Sequence, residues 1–228
     1  MKAMLLAAGY GKRLSPLTEK TPKPMLKVAG KPLLQHHIER LAASGIFELV
    51  INISWLAEQI EDYFGDGSQF GVQISWSRES QPLETGGGIA KALTLLGEQP
   101  FLLINSDIWT DFPLSLATAE KIPVDKVAWL LLVSNPDHNP EGDFAMEKGL
   151  VSYGANQKFT FSGLSIIRPK LLIDYTKAHK GQENFPLRDA LRPAIESQRV
   201  VGTVYEGNWC DVGTMDRYEQ LNNSLSKK

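Results

Sequence analysis

The stretch that decides the fold reads Leu5-Leu6-Ala7-Ala8-Gly9-Tyr10-Gly11-Lys12-Arg13-Leu14-Ser15-Pro16-Leu17-Thr18, and Thr21-Pro22-Lys23-Pro24-Met25-Leu26 follows it. An apolar run that ends in small residues and a Gly-x-Gly turn is typical of a buried strand leading through a tight loop. Glycines let backbone N–H groups approach an anion closely, and the cations that follow can neutralise it. The stretch therefore predicts a phosphate-binding loop at the end of the first strand.

Two common phosphate motifs are excluded by the residues at their fixed positions. A Walker A loop needs glycine where Leu6 stands and serine or threonine where Arg13 stands. The dinucleotide fingerprint needs a third glycine where Leu14 stands. A bare Gly-x-Gly turn also serves as a simple connection between a strand and a helix, so the turn alone does not establish a ligand.

Composition bounds the class of protein. The chain has 228 residues, a formal net charge of -2 and a single cysteine, Cys210. These values indicate one domain without an internal disulfide, and they argue against a nucleic-acid-binding surface, which is usually basic. The first residues contain neither a signal-peptide pattern nor an apolar run long enough to span a membrane. We therefore expect a cytoplasmic protein that binds small molecules and has no membrane or nucleic-acid partner; its oligomeric state stays open.

Apolar runs alternate with helical patterns along the chain. Strands are predicted at 3–7, 48–53, 72–76, 101–105, 127–133, 159–167 and 200–205, and helices at 31–44, 56–64, 89–96, 187–198 and 215–225. This order predicts an α/β protein with a Rossmann-like three-layer α/β/α fold and a mostly parallel mixed sheet. In such sheets, ligands bind beyond the carboxyl ends of the strands.

The opening stretch, together with Gly30-Lys31-Pro32-Leu33 and Trp209-Cys210-Asp211-Val212-Gly213-Thr214, resembles the sugar-1-phosphate nucleotidyltransferase family. The resemblance implies one nucleotidyltransferase domain over residues 1–228, with a nucleotide-binding half at 1–110 and a sugar-binding half at 111–228. No hexapeptide repeat follows the last helix, so we expect no C-terminal β-helix of the kind that some relatives carry. The implied reaction transfers a nucleotidyl group from UTP to a sugar 1-phosphate, releases pyrophosphate and uses Mg²⁺ as its cofactor.

The metal ligands implied by the resemblance are Asp107 and Asp211. A carboxylate such as that of Asp107, directly after a buried strand, is well placed to hold Mg²⁺ against phosphate oxygens. Ser106 stands beside it where the family usually has glycine. On its local sequence alone, Asp211 is better explained as the N-cap of the last helix, because Gly213 and Thr214 follow it.

The resemblance assigns Arg13 and Lys23 to the triphosphate as catalytic residues. Arginine can hold phosphate through two hydrogen bonds, whereas lysine acts as a point charge that the flanking prolines help to position. The other residues assigned to the nucleotide are Ala8, Gly9, Gly11, Lys12, Gln81, Gly86 and Gly87. Gln81 can both donate and accept, as the imide edge of uracil requires. For Lys12 a plain surface charge is the simpler interpretation, and the second glycine run could equally be a helix entry capped by Thr85.

The sugar-side residues implied by the resemblance are Asn105, Gly142, Asp143 and Gly163. Larger relatives place a Glu-Lys pair between these segments, with the lysine on the sugar phosphate. No such pair occurs in this sequence, where Gln157-Lys158-Phe159 is the nearest candidate. The histidines of the second half, His138 and His179, are too isolated in the sequence to indicate a zinc site.

The combination of Glu84-Thr85-Gly86-Gly87-Gly88, the segment 105–111 and Gly142-Asp143-Phe144 narrows the resemblance. It is similar to family members whose sugar is N-acetylmuramate 1-phosphate, from the recycling of bacterial cell-wall sugars. Two alternatives within the family are mannose 1-phosphate with GTP and glucose 1-phosphate with UTP or dTTP. An alternative of another class is an inactive regulatory subunit that senses a nucleotide sugar, although such a protein should have lost metal or phosphate residues.

Overall fold

The computed structural model describes residues 1–154 and 157–226. The strands are β1 Ala3–Leu6, β2 Lys27–Val28, β3 Lys31–Pro32, β4 Glu48–Ile53, β5 Gln73–Arg78, β6 Phe101–Asn105, β7 Ile108–Thr110, β8 Ala128–Val133, β9 Phe144–Glu147, β10 Leu150–Ser152, β11 Lys158–Ile167, β12 Val200–Tyr205 and β13 Trp209–Asp211. The α-helices are α1 Leu33–Ala43, α2 Ala57–Phe64, α3 Glu84–Leu96, α4 Lys170–Ala178, α5 Leu187–Glu196 and α6 Met215–Leu225.

Nine strands form one mixed sheet in the order β5-β4-β1-β6-β11-β8-β12-β10-β9. Strands β5, β4, β1 and β6 run parallel, and β11 runs antiparallel between β6 and β8. In this register, Leu6 at the end of β1 lies between Asn52 on β4 and Asn105 on β6. The carboxyl ends of these strands therefore share one edge, and the predicted mostly parallel mixed sheet is confirmed.

Helices cover both faces of the sheet, because its central strands carry apolar side chains on both sides. On β1, Leu5 packs into a cluster with residues of α1 and α2, whereas Met4 faces α3, α4 and α5. Burying a side chain such as Leu34, which is fully buried on α1, stabilises the fold by about 1.5–3 kcal/mol. The three layers predicted from the sequence are thus present.

A third, smaller apolar cluster joins the two ends of the chain. Its buried members are Leu14, Leu26, Val28, Leu33, Val212 and Leu221. The Tyr218 hydroxyl donates to Lys27 O at 2.7 Å, and Ala29 N donates to Asn222 Oδ1 at 2.8 Å. Helix α6 therefore holds the segment that follows the Pro-Lys-Pro turn.

Several elements differ from the sequence-based expectation. Helix α1 begins at Leu33 because Lys31–Pro32 pairs with Lys27–Val28 in a short hairpin. Helix α5 keeps Pro193 inside it and ends at Glu196, two residues before the predicted end. Helix α4 and the short strands β7, β9, β10 and β13 were not predicted. No helix in the described ranges has the length and hydropathy that crossing a bilayer requires.

Candidate active site

A cleft of about 670 Å³ opens at the carboxyl ends of β1, β4 and β6. Three segments form its walls: the loop after β1, the residues that follow β5, and the turn after β6. The predicted site residues that line it are Ala8, Gly9, Gly11, Lys12, Arg13, Lys23, Gln81, Asn105 and Asp107. The structure thus brings together most of the residues assigned to the triphosphate, the base and the metal.

The loop after β1 is shaped around its second glycine. Gly11 has φ +65°, and a Cβ atom there would lie 2.9 Å from the Thr18 side chain. Thr18 Oγ1 in turn donates to Gly11 O at 2.9 Å. A Cβ at Gly9, by contrast, would meet no protein atom within 4 Å. Gly11 is therefore required by the fold of the loop, whereas Gly9 leaves open space for a ligand on the cleft side.

Lys23, the lysine between two prolines, forms an ion pair with Asp107, which follows β6. Lys23 Nζ donates to Asp107 Oδ2 at 2.6 Å, and the two side chains are 13% and 33% exposed. A short 3₁₀ turn, Lys23–Met25, presents the lysine to the cleft. Lys12 differs, because its Nζ lies over the ring of Tyr10, 5.5 Å from the centroid.

The short ladder between β7 and β13 brings the two predicted metal ligands side by side. Asp211 pairs with Ile108, the residue after Asp107, and Val212 N donates to Asp107 O at 2.7 Å. The N-cap of α6 is Thr214, whose hydroxyl accepts from Arg217 N. The alternative that made Asp211 a helix cap is therefore wrong.

The two oxygens of the Asp211 carboxylate differ in their hydrogen bonding. Arg217 Nη2 donates to Asp211 Oδ2 at 2.9 Å, and Arg217 Nε donates to Asp211 O at 3.1 Å. The other oxygen, Oδ1, is buried without a hydrogen bond, although His138 Nε2 lies 2.9 Å away and out of line for one. A buried carboxylate oxygen without a hydrogen bond, on a strand whose backbone is joined to that of Asp107, fits a cation ligand.

Two carboxylates are a ligand set typical of Mg²⁺, whereas a metal held by protein side chains alone would need more ligands. Among the described residues, no group of three or more His, Cys, Asp or Glu side chains converges. Mg²⁺ typically takes only one or two carboxylates and completes its shell with water and substrate phosphates. The residues present at Asp107 and Asp211 therefore fit such an ion.

The second glycine run packs against protein and does not line the cleft. Gly86 N and Gly87 N both donate to Phe185 O, at 2.9 and 3.0 Å. A Cβ on Gly86 would lie 2.4 Å from the Phe185 ring, and one on Gly87 would lie 2.1 Å from Glu183 O. The predicted contact of these two amides with the base is therefore not supported, because the segment before α5 occupies that space.

On the sugar side, only part of the predicted set meets the cleft. Gly163 sits at a bulge in β11 with φ +80°, and its missing Cβ would come within 2.9 Å of Asn105 Nδ2. Asp143 instead braces its own loop, because its Oδ2 accepts from Phe161 N at 2.7 Å. Gly142, at φ +62°, packs beside Asn135. Gly142 and Asp143 thus shape the loop beside the cleft and do not line it.

Four further polar residues of the site escaped the sequence analysis. Asn52 and Glu79 line the cleft, and His138 and Arg217 flank Asp211. Asn52 gave a signal, as a lone amide in the apolar strand Glu48–Ile53. Nothing local in the sequence marks the other three, because their partners lie far along the chain.

The only cysteine, Cys210, offers no nucleophile. Burial, together with the charge of neighbouring Asp211, raises the pKa of its thiol to about 11. The thiol therefore stays protonated near neutral pH, where only the thiolate would attack.

A glycine loop at the carboxyl edge of an α/β sheet, in a cleft that also holds Lys23 and Asp107, is the arrangement of a nucleotide-binding enzyme. The chain belongs to the nucleotidyl transferase family, whose model matches residues 2–228, and it is a sugar-1-phosphate nucleotidyltransferase.

Curated relatives agree with this assignment, and a solved structure shares the fold. The chain is 46% identical over 226 residues to an N-acetylmuramate alpha-1-phosphate uridylyltransferase of Neisseria meningitidis serogroup B, covering 96% of both chains. It is 31% identical to a mannose-1-phosphate guanyltransferase of Gibberella zeae, of which it spans 61%. The fold matches HddC from Yersinia pseudotuberculosis complexed with GMP-PN, with a TM-score of 0.80, 22% identity and coverage of 98% and 99%.

Proposed function

We propose that this enzyme transfers the uridylyl group of UTP to N-acetylmuramate α-1-phosphate and releases pyrophosphate. The observation that carries the proposal is the 46% identity to the Neisseria uridylyltransferase, which extends over 96% of both chains. We further propose, as the sequence resemblance implies, that the enzyme acts in the recycling of cell-wall sugars in the cytoplasm.

The reaction joins two anions, so its catalysis is mainly positioning and charge neutralisation. Arg13 and Lys23 line the cleft and would contact the triphosphate. Lys23 is already desolvated on one side, with 13% of its side chain exposed, which strengthens its attraction for phosphate. The sugar phosphate oxygen attacks the α-phosphorus in line with the departing pyrophosphate, and no side chain has to act as a nucleophile.

Asp107 and Asp211 would hold Mg²⁺. When bound, the ion neutralises phosphate oxygens and fixes their geometry. Asp211 is suited to this task because Arg217 engages only its Oδ2, which leaves the buried Oδ1 without a hydrogen bond.

The nucleotide would lie over residues 1–110 and the sugar over residues 111–228, with Asn105 at the boundary. Gln81 lines the cleft and can meet the donor and acceptor edge of uracil. Asn105 and Gly163 are in close contact and would face the sugar, and the loop that Gly142 and Asp143 shape would close over it. Ala8, Gly9 and Gly11 would present backbone N–H groups to the phosphates.

Two alternatives make different predictions. A mannose-1-phosphate guanylyltransferase activity is suggested by the Gibberella relative at 31% identity. An inactive regulatory subunit is disfavoured, because Arg13, Lys23, Asp107 and Asp211 are all present.

A substrate panel tests the proposal. UTP, CTP, GTP and dTTP are each combined with N-acetylmuramate, mannose and glucose 1-phosphates at saturating Mg²⁺, and pyrophosphate release is measured. We expect UTP with N-acetylmuramate 1-phosphate to give the highest kcat/KM. A preference for GTP with mannose 1-phosphate would establish the first alternative, and no turnover with any pair would support the second.

A further inference from the structure

A buried polar chain connects two loops of the cleft. Asn52 and Glu79 are 3% and 5% exposed. Ala7 N donates to Asn52 Oδ1 at 2.9 Å, and Asn52 Nδ2 donates to Glu79 Oε1 at 2.7 Å. Leu83 N donates to Glu79 Oε2 at 2.9 Å. The chain therefore runs from the start of the phosphate-binding loop to the segment that carries Gln81.

The direction of each hydrogen bond in this chain is fixed. A backbone N–H can only donate, so the Ala7 amide requires the oxygen of Asn52 and turns its NH₂ group toward Glu79. Leu83 N–H is also a donor. Both oxygens of Glu79 therefore face donors, and an ionised carboxylate satisfies both, whereas a glutamine offers a single acceptor oxygen.

The last glycine of the second run makes room for this pair. A Cβ atom on Gly88 would lie 2.6 Å from Glu79 Oε1 and 2.8 Å from Asn52 Nδ2. Gly86 and Gly87 make room for the segment 183–185 in the same way. The glycines of the run thus bring α3 close to groups that hold the base-side loop.

We infer that Asn52 and Glu79 are positioning residues that fix the loop carrying Gln81 relative to the phosphate-binding loop, and that this spacing sets the selectivity for the nucleobase. The inference rests on the proposed use of UTP. The pair acts through Ala7 N–H and Leu83 N–H, which belong to the two loops. A triphosphate of any base still meets the phosphate-binding loop, but only a correctly held base-side loop can distinguish uracil from cytosine.

The main test replaces Glu79 by glutamine and measures kcat and KM for UTP and for CTP at saturating sugar phosphate. We expect the KM for UTP to rise at least about tenfold, the effect of losing roughly one hydrogen bond to a charged group, while kcat changes less. The ratio of kcat/KM for UTP to that for CTP should narrow by a similar factor. This ratio does not depend on the fraction of folded enzyme.

Gly88→Ala serves as a second variant. Its added Cβ displaces Asn52 and Glu79 without changing their side chains, so it should also lower the ratio of kcat/KM for UTP to that for CTP. Leu172→Ala is the matched control: Leu172 is fully buried on α4 and does not line the cleft. It should lower stability and leave the UTP to CTP ratio unchanged.

Two outcomes would contradict these expectations. An unchanged UTP to CTP ratio in both Glu79→Gln and Gly88→Ala, whether activity is retained or falls in parallel for both nucleotides, overturns the inference. If the unmodified enzyme itself fails to prefer UTP over CTP, the proposed function is contradicted, and the positioning role falls with it.

Discussion

Lys23 Nζ lies 2.6 Å from Asp107 Oδ2, so a cation and a carboxylate that are 84 residues apart in the sequence neutralise each other in the cleft. Both charges are needed elsewhere during the proposed reaction, the lysine at phosphate oxygens and the carboxylate at the metal. A metal ion held by Asp107 would compete with Lys23 for this carboxylate, and Lys23 would then be free to contact the nucleotide. Metal and nucleotide binding should therefore be coupled.

Removing the lysine should have opposite effects on metal binding and on turnover. In Lys23→Met, the free carboxylate of Asp107 should bind Mn²⁺ about threefold to tenfold more tightly, given an ion pair partly screened by solvent. The kcat/KM for UTP should fall by about 10²–10³, because a preorganised positive charge at the phosphates is lost. Electron paramagnetic resonance measures Mn²⁺ binding without nucleotide, and weaker binding there would contradict the competition.

Asp107→Asn should abolish most turnover even at saturating Mg²⁺. The loss of the carboxylate charge should lower kcat by at least about 10²–10³ while the fold persists, as circular dichroism can verify. Asp111→Asn is the control, since Asp111 lies nearby but is bonded to Tyr205 and Asn208 and does not line the cleft. Near-normal activity of Asp107→Asn would refute the metal assignment.

Gly87→Ala and Gln81→Ala should separate packing from base recognition. A Cβ at Gly87 would meet a backbone oxygen, so we expect a loss of about 1–3 kcal/mol in the free energy of unfolding. Gln81 is exposed in the cleft, and its truncation should raise the KM for UTP with little change in stability. Urea unfolding and steady-state kinetics on both variants give the comparison. If Gly87→Ala changed only the KM for UTP and not the stability, the predicted contact of Gly87 with the base would be supported after all.

His37 should make the protein less stable in mild acid. Burial, and then the charge of Arg40, lowers the pKa of His37 from 6.5 to about 4. The unfolded chain therefore binds a proton below pH 6.5 that the folded chain refuses down to about pH 4, and stability is lost as the pH falls through that window. Between pH 7 and pH 5 this residue should cost about 2 kcal/mol.

Urea unfolding at the two pH values measures this effect. His37→Leu removes the titrating group, so its free energy of unfolding should depend less on pH than that of the unmodified protein. An equal pH dependence in both proteins would show that folding does not lower the pKa of His37.

The sequence predicted the elements whose patterns are local. The bounds of β4, β6, β12 and α6 agree with the prediction, because each is a continuous apolar run or a periodic segment with clear ends. The ladder of β7 with β13 joins short segments about 100 residues apart and leaves no local pattern. The topology that brings Asp107 beside Asp211 was therefore available only from the family resemblance.

The second glycine run shows why part of the site could not be predicted. A glycine in a sequence indicates that a side chain is absent, but it does not reveal whether a ligand or the protein itself occupies the space. Here Phe185 and Glu183, about 100 positions away, decide the matter for Gly86 and Gly87. The same holds for His138, whose neighbour Asp211 is 73 positions further along the chain.

The packing of α6 on the segment after the Pro-Lys-Pro turn has a consequence for the order in which the enzyme is made. Strand β12, the last to join the nine-stranded sheet, ends at Tyr205, before Asp211, Arg217 and the apolar residues of α6 have been translated. A chain that stopped after Tyr205 would thus contain every strand of the nine-stranded sheet but only part of the site. With Asp211 in its proposed role, residues 209–225 complete the catalyst, so such a truncated product should not consume nucleotide.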